Sequence, residues 1–264
     1  MNVIAFPRIG LSFDVNPVAI ELPYIGGVHW YGIIIATGII LALCYCLRVA
    51  KRESVASENI YDTLIYSLPV AIVMARAYYV VFSWDKYKDS PIDVFKIWEG
   101  GLAIYGGIIG AIVAAITYYK IKKLPVLKMF DICCMGLLIG QAVGRWGNFV
   151  NAEAFGGYCD SFWGMSINGG MCVHPTFLYE SLWNFAGLII LSRLHKKRPF
   201  YGFTFFSYIT WYGVGRFFIE GLRADSLYLG GFRISQIVAF ACVVSGVTAL
   251  GYLSEKNINR KNKR

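Results

Sequence analysis

The stretch Val28–Leu47, VHWYGIIIATGIILALCYCL, decides the fold class, because it runs for twenty residues without Asp, Glu, Lys or Arg. A helix of about 20 predominantly apolar residues spans a hydrocarbon core of about 30 Å. This stretch therefore predicts a transmembrane helix near the start of the chain.

Six further apolar blocks follow, and most approach the same length. They cover Ile60–Ser83, Leu102–Tyr119, Val126–Val143, Thr176–Leu191, Gly202–Ile219 and Ser235–Leu253. The chain is 57% hydrophobic and only 16% charged, whereas an ordinary soluble domain carries about 25% charged residues. The sequence thus predicts an all-α integral membrane protein, with seven transmembrane helices in a single domain that comprises residues 1–264.

The basic residues predict the orientation of these helices, since cytoplasmic loops of membrane proteins are enriched in Lys and Arg. Sixteen of the 25 Lys and Arg residues follow helices 1 and 5, lie between helices 3 and 4, or belong to the tail. We therefore expect a basic cytoplasmic tail at 254–264, with an N-terminal arm at 1–27 and a long loop at 147–175 on the outer face. The net charge of +9 then indicates topology and attraction to anionic membrane lipids, not nucleic-acid binding.

Small residues predict close helix packing. Gly136, Gly140 and Gly144 repeat every four residues along helix 4, and this spacing lets a neighbouring backbone approach closely. Gly106 and Gly110 have the same spacing in helix 3. We expect helix 4 to be central in the bundle.

Histidine and cysteine patterns give no sign of a metal site or cofactor. Neither His29 nor His174 has partners at metal-ligand spacing, and His195 is expected to be solvated in a basic loop. Phosphate-loop, dinucleotide and serine-elbow motifs are missing from the sequence. Cys159 and Cys172 share the predicted outer loop, where they either form a disulfide or remain free thiols.

Charged and amide side chains follow helix 4 within Gly144–Gly156, GRWGNFVNAEAFG. Such residues at a membrane boundary are energetically costly, which makes them a functional-site hypothesis. Asn148 and Asn151 either hydrogen-bond ester or phosphate oxygens or cap the helix. Glu153 is either a general base or the counter-ion of Arg145.

Arginines near the outer helix ends suggest what this site binds. Tyr212, Arg216, Glu220 and Arg223 share one face of helix 6 by their spacing, and Arg76 lies in helix 2. Arginine binds phosphate bidentately and keeps its charge when partly desolvated. These arginines therefore predict a phospholipid head-group site, the alternative being snorkelling or an ion pair such as Arg216 with Glu220.

Several motifs together resemble the prolipoprotein diacylglyceryl transferase family. They are His29-Trp30-Tyr31-Gly32, Trp98–Gly101, Gly106-Gly107, Gly144–Gly156, His174–Glu180 and Tyr212–Phe217. The motifs occur in the family's order, from helix 1 into helix 6.

The resemblance implies a bacterial enzyme of the cytoplasmic (inner) membrane, with its active site towards the outer face. It would transfer the diacylglyceryl group of phosphatidylglycerol to the lipobox cysteine thiol of a prolipoprotein and release glycerol 1-phosphate. We expect catalytic roles for Tyr31, Tyr105, Arg145, Glu153 and Arg216. We expect phosphatidylglycerol to contact His29, Arg145, Asn148, Asn151, Gly156, Tyr212 and Arg216.

Tyr105 is where the chain departs from the family pattern, since many members have a histidine before the two glycines at 106 and 107. A phenol with a reference pKa near 10 is a poor base at neutral pH. We therefore expect Tyr105 to orient substrate, while Arg145 and Arg216 bind the phosphate and stabilise the leaving group.

Two other functions fit parts of the sequence. A transporter of the same topology is consistent with buried charges and glycine-broken helices, although no inverted repeat is apparent. An acyl- or phosphatidyltransferase would need a His-Asp pair or an Asp-rich metal motif, and the sequence has neither.

Overall fold

The computed structural model describes residues 1–22 and 26–262 and contains seven long helices in that part of the chain. They are α1 (Trp30–Arg52), α2 (Ser57–Phe82), α3 (Ile104–Ile121), α4 (Val126–Asn151), α5 (Thr176–His195), α6 (Phe203–Leu222) and α7 (Ile234–Asn262). Each helix overlaps one predicted apolar block. Five of them, α1 to α4 and α7, are long and apolar enough to cross a membrane.

The remaining long helices, α5 and α6, are less apolar because they carry buried polar side chains. Glu180, Ser181 and Asn184 are buried on α5, and Thr204 and Glu220 are buried on α6. Polar residues that are buried in apolar helices mark candidate functional sites.

Short strands add to the expected all-α architecture, mostly in the N-terminal arm. β1 (Asn2–Phe6), β2 (Leu11–Val15), β3 (Val18–Leu22) and β4 (Gly26–His29) form antiparallel pairs β1–β2 and β3–β4, and β5 (Ser166–Ile167) extends the first sheet. The last pair is β6 (Tyr228–Leu229) with β7 (Phe232–Arg233). The arm folds as strands because β1 alternates, burying Ile4 and Phe6 on one face.

Helix ends differ from the predicted boundaries in two places. Helix α4 continues eight residues past Val143 to Asn151, so the loop that was predicted to begin at residue 147 begins at Ala152. Helix α7 continues to Asn262, so the described part of the predicted tail is helical. Residues 148–151 of α4 and 252–262 of α7 contain no glycine or proline. The helical hydrogen bonds can therefore continue through both segments.

The described residues form two compact units, residues 1–46 with 130–264 and residues 47–129. In the second unit, α2 packs against α3, and Gly106 and Gly110 allow the close approach that their spacing predicted. A Cβ at Gly110 would lie 2.7 Å from the Cβ of Met74. Short 3-10 turns at Trp84–Lys86, Pro91–Phe95 and Ile97–Glu99 connect these two helices.

In the first unit, α1 packs on the predicted glycine stripe of α4. A Cβ at Gly136 would lie 2.6 Å from Cys46 Sγ, and one at Gly144 would lie 3.3 Å from Ile35 Cδ1. The close approach of α1 confirms that α4 uses its small residues for packing.

A buried aspartate joins α4 to the start of α6. Asp131 is fully buried and accepts backbone N–H groups of Gly202 (2.8 Å) and Phe205 (2.9 Å). These donors belong to the first turn of α6, whose N–H groups lack intrahelical partners. His195, expected to be solvated, is buried beside them and lies 2.9 Å from Thr204 Oγ1, because the end of α5 packs onto this turn.

Candidate functional site

A single buried carboxylate, Glu180 of α5, binds three arginines. Its Oε2 lies 2.5 Å from Arg145 Nη2. Its Oε1 lies 3.1 Å from Arg216 Nη1 and 3.4 Å from Arg223 Nη1. The Glu180 side chain is only 7% exposed, so charged groups from α4, α6 and the residue after α6 meet at one desolvated point.

Glu220 of α6 is the second carboxylate of this cluster. It is 2% exposed and lies 2.6 Å from Arg216 Nη2 and 4.0 Å from Arg223 Nε. The ion pair of Arg216 with Glu220, the sequence alternative to phosphate binding, is therefore present. It does not neutralise the buried part of the site, because three guanidinium groups face two buried carboxylates there, and the third counter-charge, Asp225, lies half-exposed at the rim.

Asp225 binds Arg223 at the rim of the cluster. Its carboxylate lies 2.7 Å from Arg223 Nη2 and 2.9 Å from Nε, and its side chain is 51% exposed. The hydrogen bond from Arg223 holds the pKa of Asp225 below its ordinary value. Burial opposes the charge of Arg223, but the bond and charge of Asp225 outweigh it, so the pKa of Arg223 is raised.

A reciprocal tryptophan pair fixes α5 against α6 and so aligns Glu180 with Arg216. The Trp183 and Trp211 rings stack at 4.3 Å, and each indole N–H donates to the other's backbone carbonyl, at 3.0 and 3.1 Å. Gly187 and Gly215 leave room for the two rings. The two tryptophans pack between the helices, where their N–H groups find partners.

The amides of α4 connect Arg145 to Glu153. Arg145 Nη1 donates to Asn148 Oδ1 at 3.3 Å, and Asn148 Nδ2 donates to Glu153 Oε1 at 3.0 Å. Asn151 Nδ2 donates to the same oxygen at 3.3 Å. The carboxylate paired with Arg145 is thus Glu180, while Glu153 is exposed and reaches Arg145 through Asn148.

The backbone around Glu153 is strained. Ala152 and Ala154 have positive φ values of 53° and 56°, a left-handed conformation that costs an L-residue about 1–2 kcal/mol. The Thr176 hydroxyl donates to the Ala154 carbonyl at 2.6 Å, which holds this turn at the end of α4. Strain of this kind concentrates at functional sites.

Gly156 joins the loop to the end of α6. Its N–H donates to His174 O at 2.9 Å, and Gly157 N–H donates to Leu222 O at 2.8 Å. A Cβ at Gly156 would lie 2.6 Å from the Cβ of His174 and 2.7 Å from Leu222 O. Only glycine therefore fits where the loop meets the residue before Arg223.

Other expected site residues surround the cluster more loosely. Tyr212 lies one turn before Arg216 on α6, close enough to interact electrostatically with Arg145 and Glu180. The Tyr31 ring packs against Gly147 of α4. His29 is exposed at the end of β4, opposite Val18, so its contact with a substrate stays a prediction.

Arg76 belongs to the other unit, where its guanidinium braces a loop. It donates to the backbone carbonyls of Asp93 (2.7 Å), Val94 (2.8 Å), Gly100 (2.7 Å) and Gly101 (3.1 Å). A contact of Arg76 with a phospholipid head group stays a prediction. Tyr105, half-buried in the first turn of α3, belongs to the same unit.

Cys159 and Cys172 are free thiols in paired backbone segments. The Cys159 N–H donates to Cys172 O at 2.9 Å, and Cys159 Sγ lies 2.8 Å from Ser161 Oγ. Within residues 1–22 and 26–262, no three His, Cys, Asp or Glu side chains are grouped so that they could hold a metal ion.

Sequence reasoning missed Glu180, the centre of the cluster. The residue appeared only as the last member of the His174–Glu180 motif. A signal was available, since Glu180 is the one acidic residue of the apolar block Thr176–Leu191, and intramembrane carboxylates imply a partner.

The fold and this site together define a multi-pass helical membrane protein with a buried cluster of three arginines and two glutamates. The family model described as prolipoprotein diacylglyceryl transferase matches residues 17–252. The chain belongs to that family.

Three relatives, each named phosphatidylglycerol–prolipoprotein diacylglyceryl transferase, illustrate the similarity. The protein of Clostridioides difficile is 45% identical over 232 residues, covering 88% of this chain and 93% of the relative. That of Bacillus cytotoxicus is 44% identical over 251 residues, with 90% and 92% covered. That of Listeria innocua is 42% identical over 248 residues, with 90% and 89% covered.

Proposed function

We propose that this chain transfers the diacylglyceryl group of phosphatidylglycerol to the lipobox cysteine thiol of a bacterial prolipoprotein, the first step of lipoprotein maturation. The observation that carries the proposal is the cluster of Arg145, Arg216 and Arg223, in which three guanidinium groups meet only two buried carboxylates. A desolvated site with more arginines than buried carboxylates suits a phosphodiester, which carries one negative charge.

In the proposed reaction, the cysteine sulfur attacks the glyceryl carbon that bears the phosphate. A C–S bond forms while the C–O bond breaks, and glycerol 1-phosphate leaves with the bonding electron pair. Arg145 and Arg216 bind the phosphate oxygens and stabilise the charge that develops on them. No protein nucleophile is needed, because the prolipoprotein supplies the thiol.

The remaining residues position the substrate in this proposal. Asn148, Asn151 and Tyr212 donate hydrogen bonds to the head group or esters, and Gly156 keeps the loop against the end of α6. His29 and Tyr31 contribute from the start of α1.

The thiol loses its proton as sulfur attacks, and the positive potential of the cluster favours the thiolate. Tyr105 orients substrate in this picture. Glu153 either accepts the proton or holds Asn148 and Asn151 in place through the hydrogen bonds that they donate.

The proposal includes a topology. All seven helices of the described chain cross the bacterial cytoplasmic (inner) membrane as a single domain, with the N-terminus outside and the C-terminus in the cytoplasm. The distribution of Lys and Arg supports this orientation. It places the ends of α4 and α6, and therefore the cluster, towards the outer face, where a translocated prolipoprotein arrives.

The test is transfer activity in membranes that contain phosphatidylglycerol and a lipobox peptide, read as a gain of one diacylglyceryl mass. We expect Arg145→Ala and Arg216→Ala each to lower the rate by about 100-fold or more, as for loss of one oxyanion donor. Arg193→Ala, which removes an exposed arginine from the last turn of α5, is the control and should retain activity. Near-normal transfer by stably inserted Arg145→Ala and Arg216→Ala would contradict the proposal.

A further inference from the structure

Glu180 is a carboxylate at the centre of a site that is proposed to bind an anion. Each of its oxygens is occupied, Oε2 by Arg145 and Oε1 by Arg216 and Arg223. A negative charge here opposes phosphate binding, so its placement needs a physical reason.

One reason is alignment. The three arginines come from different places, namely α4, α6 and the residue after α6, and Glu180 is the carboxylate that contacts all three. Like-charged guanidinium groups repel each other in a desolvated site. A shared counter-ion keeps them converged before any phosphate arrives.

A second reason is charge. With Glu180, Glu220 and the rim residue Asp225 ionised, the three arginines are balanced by three carboxylates; without Glu180 one positive charge would be unbalanced. A phosphodiester substrate carries one negative charge, whereas a phosphomonoester, with a second pKa near 6, carries nearly two at neutral pH. The additional positive charge would therefore strengthen binding of the monoester product more than binding of the diester substrate.

We propose that Glu180 is a positioning residue that holds the three arginines in register and limits their net charge, so that the glycerol phosphate product is released. This inference rests on the proposed function, because that function makes the product a phosphomonoester. It assigns Glu180 no proton transfer, since both of its oxygens already accept from arginines and neither is left to approach a thiol.

The test uses Glu180→Gln, which keeps the shape of the side chain and removes its charge, in detergent micelles with phosphatidylglycerol and a lipobox peptide. We expect glycerol 1-phosphate to inhibit this variant at a concentration about tenfold lower than it inhibits the unmodified protein, since one charge at about 6 Å acts on a dianion. KM for phosphatidylglycerol should fall or stay constant while kcat falls. A purely structural role would raise KM or lower the amount of folded protein.

Two variants serve as references. Asp160→Asn removes an exposed carboxylate that pairs with Arg8 and should leave product inhibition unchanged. Glu180→Asp keeps the charge, so its inhibition by glycerol 1-phosphate should stay within about twofold of the unmodified protein even if kcat falls with the altered alignment.

Binding of glycerol 1-phosphate, measured without the peptide, separates this inference from the proposed function. Normal transfer by the unmodified protein, with no tighter product binding in Glu180→Gln, would overturn the role of Glu180 and leave the reaction standing. Absence of transfer in the unmodified protein would overturn the reaction itself. If Glu180→Gln does not fold, product binding by Glu180→Asp decides: an unchanged affinity supports the proposal, and an affinity tenfold tighter contradicts it.

Discussion

Arg76 and Arg216 are both helix arginines with low exposure, but they have different kinds of partner. Arg76 gives its guanidinium hydrogens to four backbone carbonyls of the loop that follows α2. Arg216 binds two carboxylates, Glu180 and Glu220, in a group that also contains Arg145 and Arg223. The donors of Arg76 are occupied by neutral backbone carbonyls, whereas those of Arg216 are occupied by carboxylates, whose place a phosphate could take.

The comparison teaches that an arginine in an apolar chain is not by itself a ligand site. The four carbonyls bound by Arg76 belong to the backbone of a folded loop. A ligand therefore cannot replace them without unfolding the loop. An ion pair between two side chains can be exchanged when a phosphate arrives, since phosphate accepts the same bidentate bonds as carboxylate.

The largest effects expected from this difference are those of the substitutions Arg216→Lys, on transfer activity, and Arg76→Lys, on stability. A lysine at 216 keeps the charge but cannot bridge Glu180 and Glu220, so we expect transfer activity per folded molecule to fall about 100-fold. A lysine at 76 leaves buried carbonyls without donors, so we expect a loss of unfolding free energy of about 3 kcal/mol.

Transfer assays and thermal denaturation of both variants in the same micelles measure the loss of activity and the loss of stability for each. If Arg76→Lys loses activity per folded molecule as severely as Arg216→Lys while keeping its stability, the assignment of Arg76 to structure would be wrong.

Much of the helical architecture could be predicted from apolar block lengths, because a membrane-spanning helix needs both length and low charge. The end of α4 could not be predicted in this way. Arg145, Asn148 and Asn151 look like loop residues by composition, yet they continue the helix to Asn151, since interhelical and amide contacts satisfy their side chains.

The site, too, has residues that could be predicted from the sequence and residues that could not. Arg145, Arg216 and Glu220 were predictable from charge in an apolar setting and from helical spacing. The role of Glu180 could be seen only from the packing of α5 on α6. That packing depends on the Trp183–Trp211 pair, which leaves no periodic pattern in the sequence. The strands of the arm were missed because short alternating segments such as β1 are easily overlooked beside long apolar helices.

The next effect concerns how the loop meets the cluster, and adjacent glycines provide a matched pair. Gly156→Ala would place a methyl group against His174 and Leu222 O, whereas at Gly157 the nearest atom is Leu222 O at 4.0 Å. We expect Gly156→Ala to lose about 1–3 kcal/mol of stability, as overpacking does, and to lower transfer by displacing the loop from Arg223. Gly157→Ala should behave like the unmodified protein in both assays, and equal losses from the two alanines would show that the contact at Gly156 is not special.

The smallest effect is expected at the rim, where Asp225 and Arg223 form a half-exposed pair. The pKa of Asp225 is lowered in the folded protein by the Arg223 hydrogen bond, so the carboxylate adds stability above its unfolded pKa of about 3.9. This stability is lost as the pH falls through the lower folded value. Because solvent screens the pair, we expect Asp225→Asn to cost less than about 1 kcal/mol at pH 7 and nothing at a pH below both values. Thermal midpoints of both proteins from pH 7 downward measure this, and a difference that does not shrink as the pH falls would show that Asp225 stabilises the rim by packing rather than by charge.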